Sequence, residues 1–313
     1  MDANHDEFLW VERWRPHTIA DCILPKNQQD TFAEFVKKGE VPNMILSGTS
    51  GVGKTTVARA MCEEIGCDYI IINGSEDSGI DMLRTKLRQF ASSVSFSGKV
   101  KVAIIDEADY LNPNSTQPAF RGFIEEFSKN CRFIFTCNNK NKIIPQLHSR
   151  ATVIDFKIEK SDRPKMAAKF MARVQHILAA EGIVGEEAVV AELLKKYFPD
   201  YRRILGELQV YGAGGVIDAG ILRVTSDSNL KPLITALREK DFKKMRVWVA
   251  NNEEESPQIL FRKLFDEMVD KVTEAPQLVL LLADYGYKSA FCADQTINTT
   301  ACMTEIMASV SFK

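Results

Sequence analysis

The run GTSGVGKT, Gly48 to Thr55, constrains this chain more than any other feature. It fits G-x-x-x-x-G-K-[ST] and lies between a short apolar segment, Met44 to Ser47, and a stretch with helical spacing near 54 to 64. A glycine-rich turn between a strand and a helix presents successive backbone N–H groups, and the positive end of the helix, to an anion. Gly51 and Gly53 let the backbone approach a phosphate closely. Lys54 then reaches the β and γ phosphates of a nucleoside triphosphate, and the Thr55 hydroxyl ligates Mg²⁺.

Such a turn belongs to an α/β architecture, and the rest of the first half agrees. Met44 to Ser47, Tyr69 to Ile72, Val100 to Ile105, Arg132 to Thr136 and Thr152 to Phe156 read as short buried strands. Helical patterns near 54 to 64, 79 to 92 and 115 to 129 separate them. Strands alternating with helices predict a mostly parallel, doubly wound sheet, with ligands at the carboxyl ends of the strands. After Phe156 the strand signals fade, and 162 to 181, 186 to 197 and 200 to 211 have helical spacing interrupted by Gly182, Gly185 and Pro199. Beyond the glycine-containing stretch at 211 to 215, segments 229 to 251, 256 to 271, 276 to 285 and 297 to 311 are again helical in pattern. The expected organisation is a nucleotide-binding domain over 1–156, a small helical domain over 157–224 and an all-helical domain over 225–313.

Two further strand ends carry polar groups. Asp106 and Glu107 follow Val102 to Ile105, 52 residues after Lys54. Asp106 is placed to hold the Mg²⁺ shell and Glu107 to orient the attacking water, because phosphoryl transfer depends on positioning and charge neutralisation. Acidic residues after a strand also cap helices, but the phosphate turn favours the catalytic role. Asn138, after Arg132 to Thr136, is a candidate γ-phosphate sensor, although asparagine is also a common turn residue. Arg150, Arg202 and Arg203 could each neutralise transition-state charge, and spacing alone does not choose among them.

Composition narrows the partners. A formal net charge of -2 gives no global signal for nucleic acid. Residues 81 to 101, however, hold Arg84, Lys86, Arg88, Lys99 and Lys101 against Asp81 alone, a local net charge of +4. This is a candidate phosphate-tracking surface or an ordinary solvated helix face. Seven scattered cysteines without a C-x-x-C pair predict reduced thiols in a cytoplasm. No apolar run approaches the ~18 residues of a membrane span, and the acidic start MDANHDEF does not resemble a signal peptide.

Taken as a set, WVERWRP (10 to 16), GTSGVGKT, INGSE (72 to 76), GIDMLR (79 to 84), IIDEAD (104 to 109), CNNKNKIIPQLHSR (137 to 150) and FPDYRR (198 to 203) resemble the motifs of sliding-clamp loader ATPases of the replication factor C family. DCILP, FPDYRRILGEL and GVIDAGIL look most like the large subunits of this family in T4-like bacteriophages. The resemblance implies an AAA+ ATPase with a helical lid and a helical collar that joins subunits. Its partners would be a sliding clamp, primer-template DNA bound without regard to sequence, a smaller loader subunit, and other copies of the chain, four in all. It places Val11, Glu12, Arg13, Trp14 and Ile23 on the base and ribose, and Gly51, Val52, Gly53, Lys54, Thr55 and Thr56 around the phosphates of ATP. Asn138 matches sensor 1, Arg202 the sensor 2 arginine, and Arg150 the arginine finger offered to a neighbouring subunit. Ile80, Arg84, Arg88 and Lys142 become candidate DNA contacts, while Leu87, Phe90, Val94 and Phe96 are candidates for insertion into a clamp pocket. Two positions depart from the family: Ala151 replaces the cysteine after the finger, and only Arg121, followed by Gly122, remains of a paired arginine motif. Another AAA+ DNA machine, such as a branch-migration helicase or a helicase loader, is the alternative, as is a nucleotide-binding but inactive scaffold.

Overall fold

The computed structural model of the protein describes residues 7–76, 80–95, 98–221, 230–253 and 256–313, with the side chains of 80–83 excepted. The chain divides into two compact units, Met1–Val224 and Thr225–Lys313.

In the first unit, β1 (Met44–Ser47), β2 (Tyr69–Asn73), β3 (Lys101–Asp106), β4 (Cys131–Cys137) and β5 (Thr152–Asp155) form a parallel sheet in the order β2-β3-β4-β1-β5. The register runs across it in one row: Ile72 lies beside Ile105, Ile105 beside Phe135, and Ile45 beside both Phe135 and Val153. Successive side chains point to opposite faces of a strand. Ile45, Ala103, Ile105, Phe133 and Phe135 therefore enter one core, and Met44, Leu46, Val102, Ile104 and Ile134 the other. Helices α4 (Ile80–Ser92) and α5 (Thr116–Glu126) cover the first face with Leu87, Phe120 and Phe123. Helices α2 (Lys26–Lys38) and α3 (Lys54–Ile65) cover the second with Phe32, Val57, Ala58 and Met61. Burial on both faces explains why β1 and β3 read as unbroken apolar runs. The sequence pattern anticipated α3, α4 and α5 but not α2, whose moderately amphipathic face follows a proline and no capping side chain.

A short helix, α6 (Pro145–His148), precedes β5, and the remainder of this unit is helical. Helices α7 (Arg163–Ala180), α8 (Glu187–Tyr197) and α9 (Tyr201–Gly212) pack around Phe170, Val174, Leu193, Ile204 and Leu208. Two short strands that the pattern did not suggest, β6 (Val184–Gly185) and β7 (Val216–Ile217), pair in parallel beside them. Trp10 and Trp14, on and just after the short helix α1 (Trp10–Arg13), are buried in this same helical core. Hydrogen bonds hold them there: Trp14 Nε1 donates to Glu181 Oε1 at 2.8 Å, and Trp10 N to Gln209 Oε1 at 2.9 Å.

The second unit is a bundle of helices Leu230–Glu239, Phe242–Ala250, Pro257–Met268, Ala275–Lys288 and Gln295–Ser309. The expected single segment over 229 to 251 is two helices. Lys240 adopts a left-handed φ of 55°, and Asp241 caps the second helix by accepting from Lys244 N at 3.0 Å. Leu233, Met245, Leu264, Leu278, Cys302 and Ile306 form its core. Among the described residues, no helix is long and apolar enough to cross a membrane.

Candidate functional site

The carboxyl ends of β1, β4 and β3 lie side by side in that order, and each delivers one part of a cleft in the first unit. From β1 the chain turns through Gly48, Gly51 (φ 75°) and Gly53 (φ 92°) into α3. An L side chain is strained in the left-handed region occupied by Gly51 and Gly53. At Gly51 a side chain is also excluded by space, because a Cβ there would fall 1.8 Å from Asp200 Oδ1. The turn is thus pressed against the amino end of α9, where Tyr201 N donates to Gly51 O at 3.1 Å.

Lys54, only 8% exposed, points back into the turn. Its Nζ donates to Gly48 O (2.7 Å), Thr49 O (2.8 Å) and Asn138 Oδ1 (3.1 Å). Burial lowers its pKa, opposed by the neighbouring Cys137, Asp106 and Asp109. The ammonium is held among oxygens that a phosphate could replace. From β3, Asp106 Oδ1 accepts from Thr55 Oγ1 at 2.7 Å and from Thr136 Oγ1. Glu107 follows in a left-handed conformation, φ 53°. From β4 come Thr136, Cys137 and Asn138.

These groups line a cleft that opens to solvent. It is walled by residues 50 to 57 with Asp106, Glu107 and Asn138, and by Val11, Trp14, Ile23, Leu24, Phe170 and Leu205. Arg202, in the first turn of α9, reaches the cleft from the helical side. Val11, Trp14, Ile23, Gly51, Val52, Gly53, Lys54, Thr55, Thr56, Asp106, Glu107, Asn138 and Arg202 are brought together as the motifs suggest.

Other expected residues lie elsewhere. Arg13 makes a two-pronged pair with Glu181 at 2.9 and 3.0 Å, and Glu12 binds Arg15 and sits 3.6 Å from Arg59. Neither Glu12 nor Arg13 lines the cleft; both fasten the amino-terminal segment beside it. Arg150 also stands apart from the cleft of its own chain. Its guanidinium holds Glu125 at 2.7 and 3.0 Å, and that hydrogen bond keeps the Glu125 carboxyl below its ordinary range.

Sequence reasoning missed several cleft residues. Arg15 donates to Thr56 Oγ1 at 2.9 Å, and Arg173, from α7, donates to Asp21 O. Tyr201 packs its ring 4.6 Å from Phe170. Thr136 also escaped notice, since a threonine in an apolar strand carries no motif signal.

The basic segment resolves into two kinds of residue. Lys101 is buried, 3% exposed, and its Nζ donates to Phe90 O (2.8 Å) and Ser93 O (2.6 Å), so it caps the carboxyl end of α4. Lys99 does the same for α3 by donating to Ile65 O. Lys101, buried and with its Nζ bonds taken, is not free to meet a polyanion in this arrangement. Arg84 and Arg88 are exposed, with Arg88 3.4 Å from Glu126, and Lys142 rests its Nζ 5.5 Å from the Tyr110 ring centre. The side chain of Ile80 and the whole of Phe96 lie outside the described residues. Of the apolar candidates on α4, Leu87 belongs to the core and Phe90 packs against it, while Val94, beyond the helix end, is 88% exposed.

Residues 44–161 match the family described as ATPase family associated with various cellular activities (AAA), and 162–223 match the sliding-clamp-loader large subunit, AAA+ ATPase lid domain. The sliding-clamp-loader large subunit of Escherichia phage RB69 is 39% identical over 296 residues, 93% of this chain and 92% of that protein. The corresponding subunit of Enterobacteria phage T4 is 39% identical over 90% of this chain and 88% of that protein. Replication factor C subunit 4 of Saccharomyces cerevisiae is 32% identical over 88% and 83%. Among solved structures, the Thermotoga maritima RuvB Holliday junction branch migration motor is similar with a TM-score of 0.53 and 17% identity, covering 72% of this chain and 80% of that one. At that identity the likeness shows a shared fold alone. The two matched domains in sequence, together with near full-length similarity to the phage subunits, establish that the chain belongs to the sliding-clamp-loader large subunit family of AAA+ ATPases.

Proposed function

We propose that this chain is the ATP-hydrolysing motor subunit of a DNA polymerase clamp loader. ATP binding would assemble subunits that open a sliding clamp and set it on primer-template DNA, and hydrolysis would release both. The observation that carries this reading is the meeting of Lys54, Thr55, Asp106, Glu107 and Asn138 in one cleft at three adjacent strand ends. An inactive scaffold would not need these groups, and a branch-migration helicase, which would share them, is opposed by the match of residues 162–223 to the clamp-loader lid and by the near full-length likeness to the phage subunits.

Within the cleft each side chain has a chemical task. Lys54 neutralises the β and γ phosphates, and Asn138, already within hydrogen-bond distance of its Nζ, reads the γ phosphate. Glu107 holds the attacking water, and Arg202 brings a positive charge from the lid. The Thr55 hydroxyl and the Asp106 carboxylate, 2.7 Å apart, are hard oxygen donors of the kind Mg²⁺ takes alongside phosphate and water. The metal would supply charge neutralisation of the bridging phosphate oxygens. Val11, Trp14 and Ile23 offer an apolar wall to the base. Arg150, which does not line its own cleft, would act on a neighbour's nucleotide once it exchanges Glu125 for phosphate.

This reading divides the chain into a nucleotide domain over 1–156, a lid over 157–224 and a collar over 225–313. The assembly would hold four copies with one smaller subunit in the host cytoplasm, and Arg84, Arg88, Lys142 and Ile80 would follow DNA phosphates. Purified chain with its clamp and primed DNA should hydrolyse ATP faster than with either omitted, and Lys54→Ala should lose both ATP binding and turnover. Undiminished turnover in that variant would remove the assignment.

A further inference from the structure

Thr136 stands at the end of β4, the strand lying between the phosphate turn of β1 and the carboxylates of β3. Its side chain is 1% exposed, and its hydroxyl both donates and accepts. The O–H donates to Asp106 Oδ1, and the oxygen accepts from Glu107 N at 3.2 Å. A hydroxyl has one proton and two lone pairs. Serine and threonine can therefore make both bonds from this position, and a valine of the same shape can make neither.

Both partners need the support. Asp106 Oδ1 is drawn to Thr55 and Thr136 together, which fixes the carboxylate rotamer and leaves Oδ2 for other ligands. Glu107 sits at φ 53°, a conformation that costs an L residue energy and persists only when its surroundings impose it. Its N–H is held by Thr136. Two residues on, Asp109 Oδ2 accepts from Asn139 N at 3.4 Å, a second tie between the same two strand ends.

We propose that Thr136 is a positioning residue of the hydrolysis site, whose single hydroxyl sets the Asp106 carboxylate for the metal and holds Glu107 in the backbone geometry that presents it to water. The inference rests on the reading of the cleft as an ATP·Mg²⁺ site. It also makes the strand that carries Asn138 the physical support of the catalytic pair, so that a displacement of the β4 end would disturb the metal ligand and the water-holding carboxylate together.

The test uses the full chain with its clamp and primed DNA, and the variants Thr136→Val, Thr136→Ser and Glu107→Gln. Loss of an outer partner of a metal ligand typically costs about 10- to 100-fold in activity or metal affinity. Thr136→Val is expected to lose kcat within that range, with KM for ATP changed little. Titrating Mg²⁺ into chain and a fluorescent ATP analogue should show the half-saturating Mg²⁺ raised, while binding of the analogue in EDTA stays at the wild-type value. Thr136→Ser should restore kcat and the Mg²⁺ curve to near wild type. A wild-type rate and Mg²⁺ curve in Thr136→Val, or a Thr136→Ser variant as impaired as the valine, would overturn the proposal. If Thr136→Val does not fold, Thr136→Cys, with its weak thiol donor, takes its place with the same expected readings. Glu107→Gln separates the two levels: normal hydrolysis in that variant defeats the reading of the cleft, whereas an inactive Glu107→Gln beside a normal Thr136→Val defeats only the role of Thr136.

Discussion

Alanine at Gly51 and at Gly53 should have unequal costs, although both glycines belong to the same turn and both have left-handed φ. The conformational term is common to them: an L residue at φ 75° or 92° costs roughly 1–2 kcal/mol. Around Gly53 nothing lies within 4 Å of an added Cβ, so that term stands alone. At Gly51 the new methyl would sit 1.8 Å from Asp200 Oδ1 and 3.2 Å from Asp200 Cα, so the side chain must leave and the start of α9 must shift. Leaving breaks the Asp200 cap on Arg203 N, worth about 1 kcal/mol. Shifting weakens the hydrogen bond from Tyr201 N to Gly51 O, worth about another 1 kcal/mol. The excess at Gly51 is therefore about 2 kcal/mol, or about 4–8 °C in melting temperature for a unit of this size. Thermal unfolding of Gly51→Ala and Gly53→Ala side by side measures it. ATP titration should also show the larger loss for Gly51→Ala, since Arg202 travels with the start of α9. Equal melting temperatures for the two variants would refute the contact between the phosphate turn and the lid.

Two further outcomes follow from the charged surface. Arg150→Ala should keep ATP binding and lose about 10³-fold of clamp- and DNA-stimulated hydrolysis, whereas Glu125→Gln, which frees Arg150, should retain it; an unchanged rate in Arg150→Ala would remove the finger in trans. Lys101→Met should cost about 1.5–3 kcal/mol of stability by removing the charge-assisted hydrogen bonds to Phe90 O and Ser93 O at the end of α4, with no change in the salt dependence of DNA binding, while Arg84→Ala with Arg88→Ala should lower the salt slope by about 0.9 for each phosphate no longer neutralised; a Lys101→Met variant that is stable but binds DNA with a reduced slope would overturn the capping role.

Sequence was informative where chemistry and backbone geometry coincide over a few consecutive residues. The turn Gly48 to Thr55 and the strand ending in Asp106 and Glu107 could be read directly, because a phosphate cradle and a metal-bearing strand edge each impose residue types at fixed neighbouring positions. Helix α2 was missed because its role is to cover one sheet face with Phe32, and a proline entry without a capping side chain leaves little local trace. Lys99 and Lys101 counted as positive charge in the sequence, but each closes a helix end, a choice made by packing between α3, α4 and β3. Arg13 was assigned to the nucleotide wall by the family resemblance of the segment Val11 to Trp14, yet Glu181, distant in sequence, captures it. Thr136 was invisible for the same reason: its partners are on another strand, and only the sheet order brings them within reach.

The burial of Trp10 and Trp14 among α7, α8 and α9 has a consequence for how the chain is made. The indoles leave the ribosome before the surfaces that enclose them, which include α9 and β7, ending at Gly212 and Ile217. At elongation rates of about 5–20 residues per second, the two rings remain without their partners for roughly 10–40 s. During nascent-chain growth the sheet can close while the wall of the cleft that Trp14 and Leu205 line is still unbuilt, so the cleft is complete only with the final helices of the first unit.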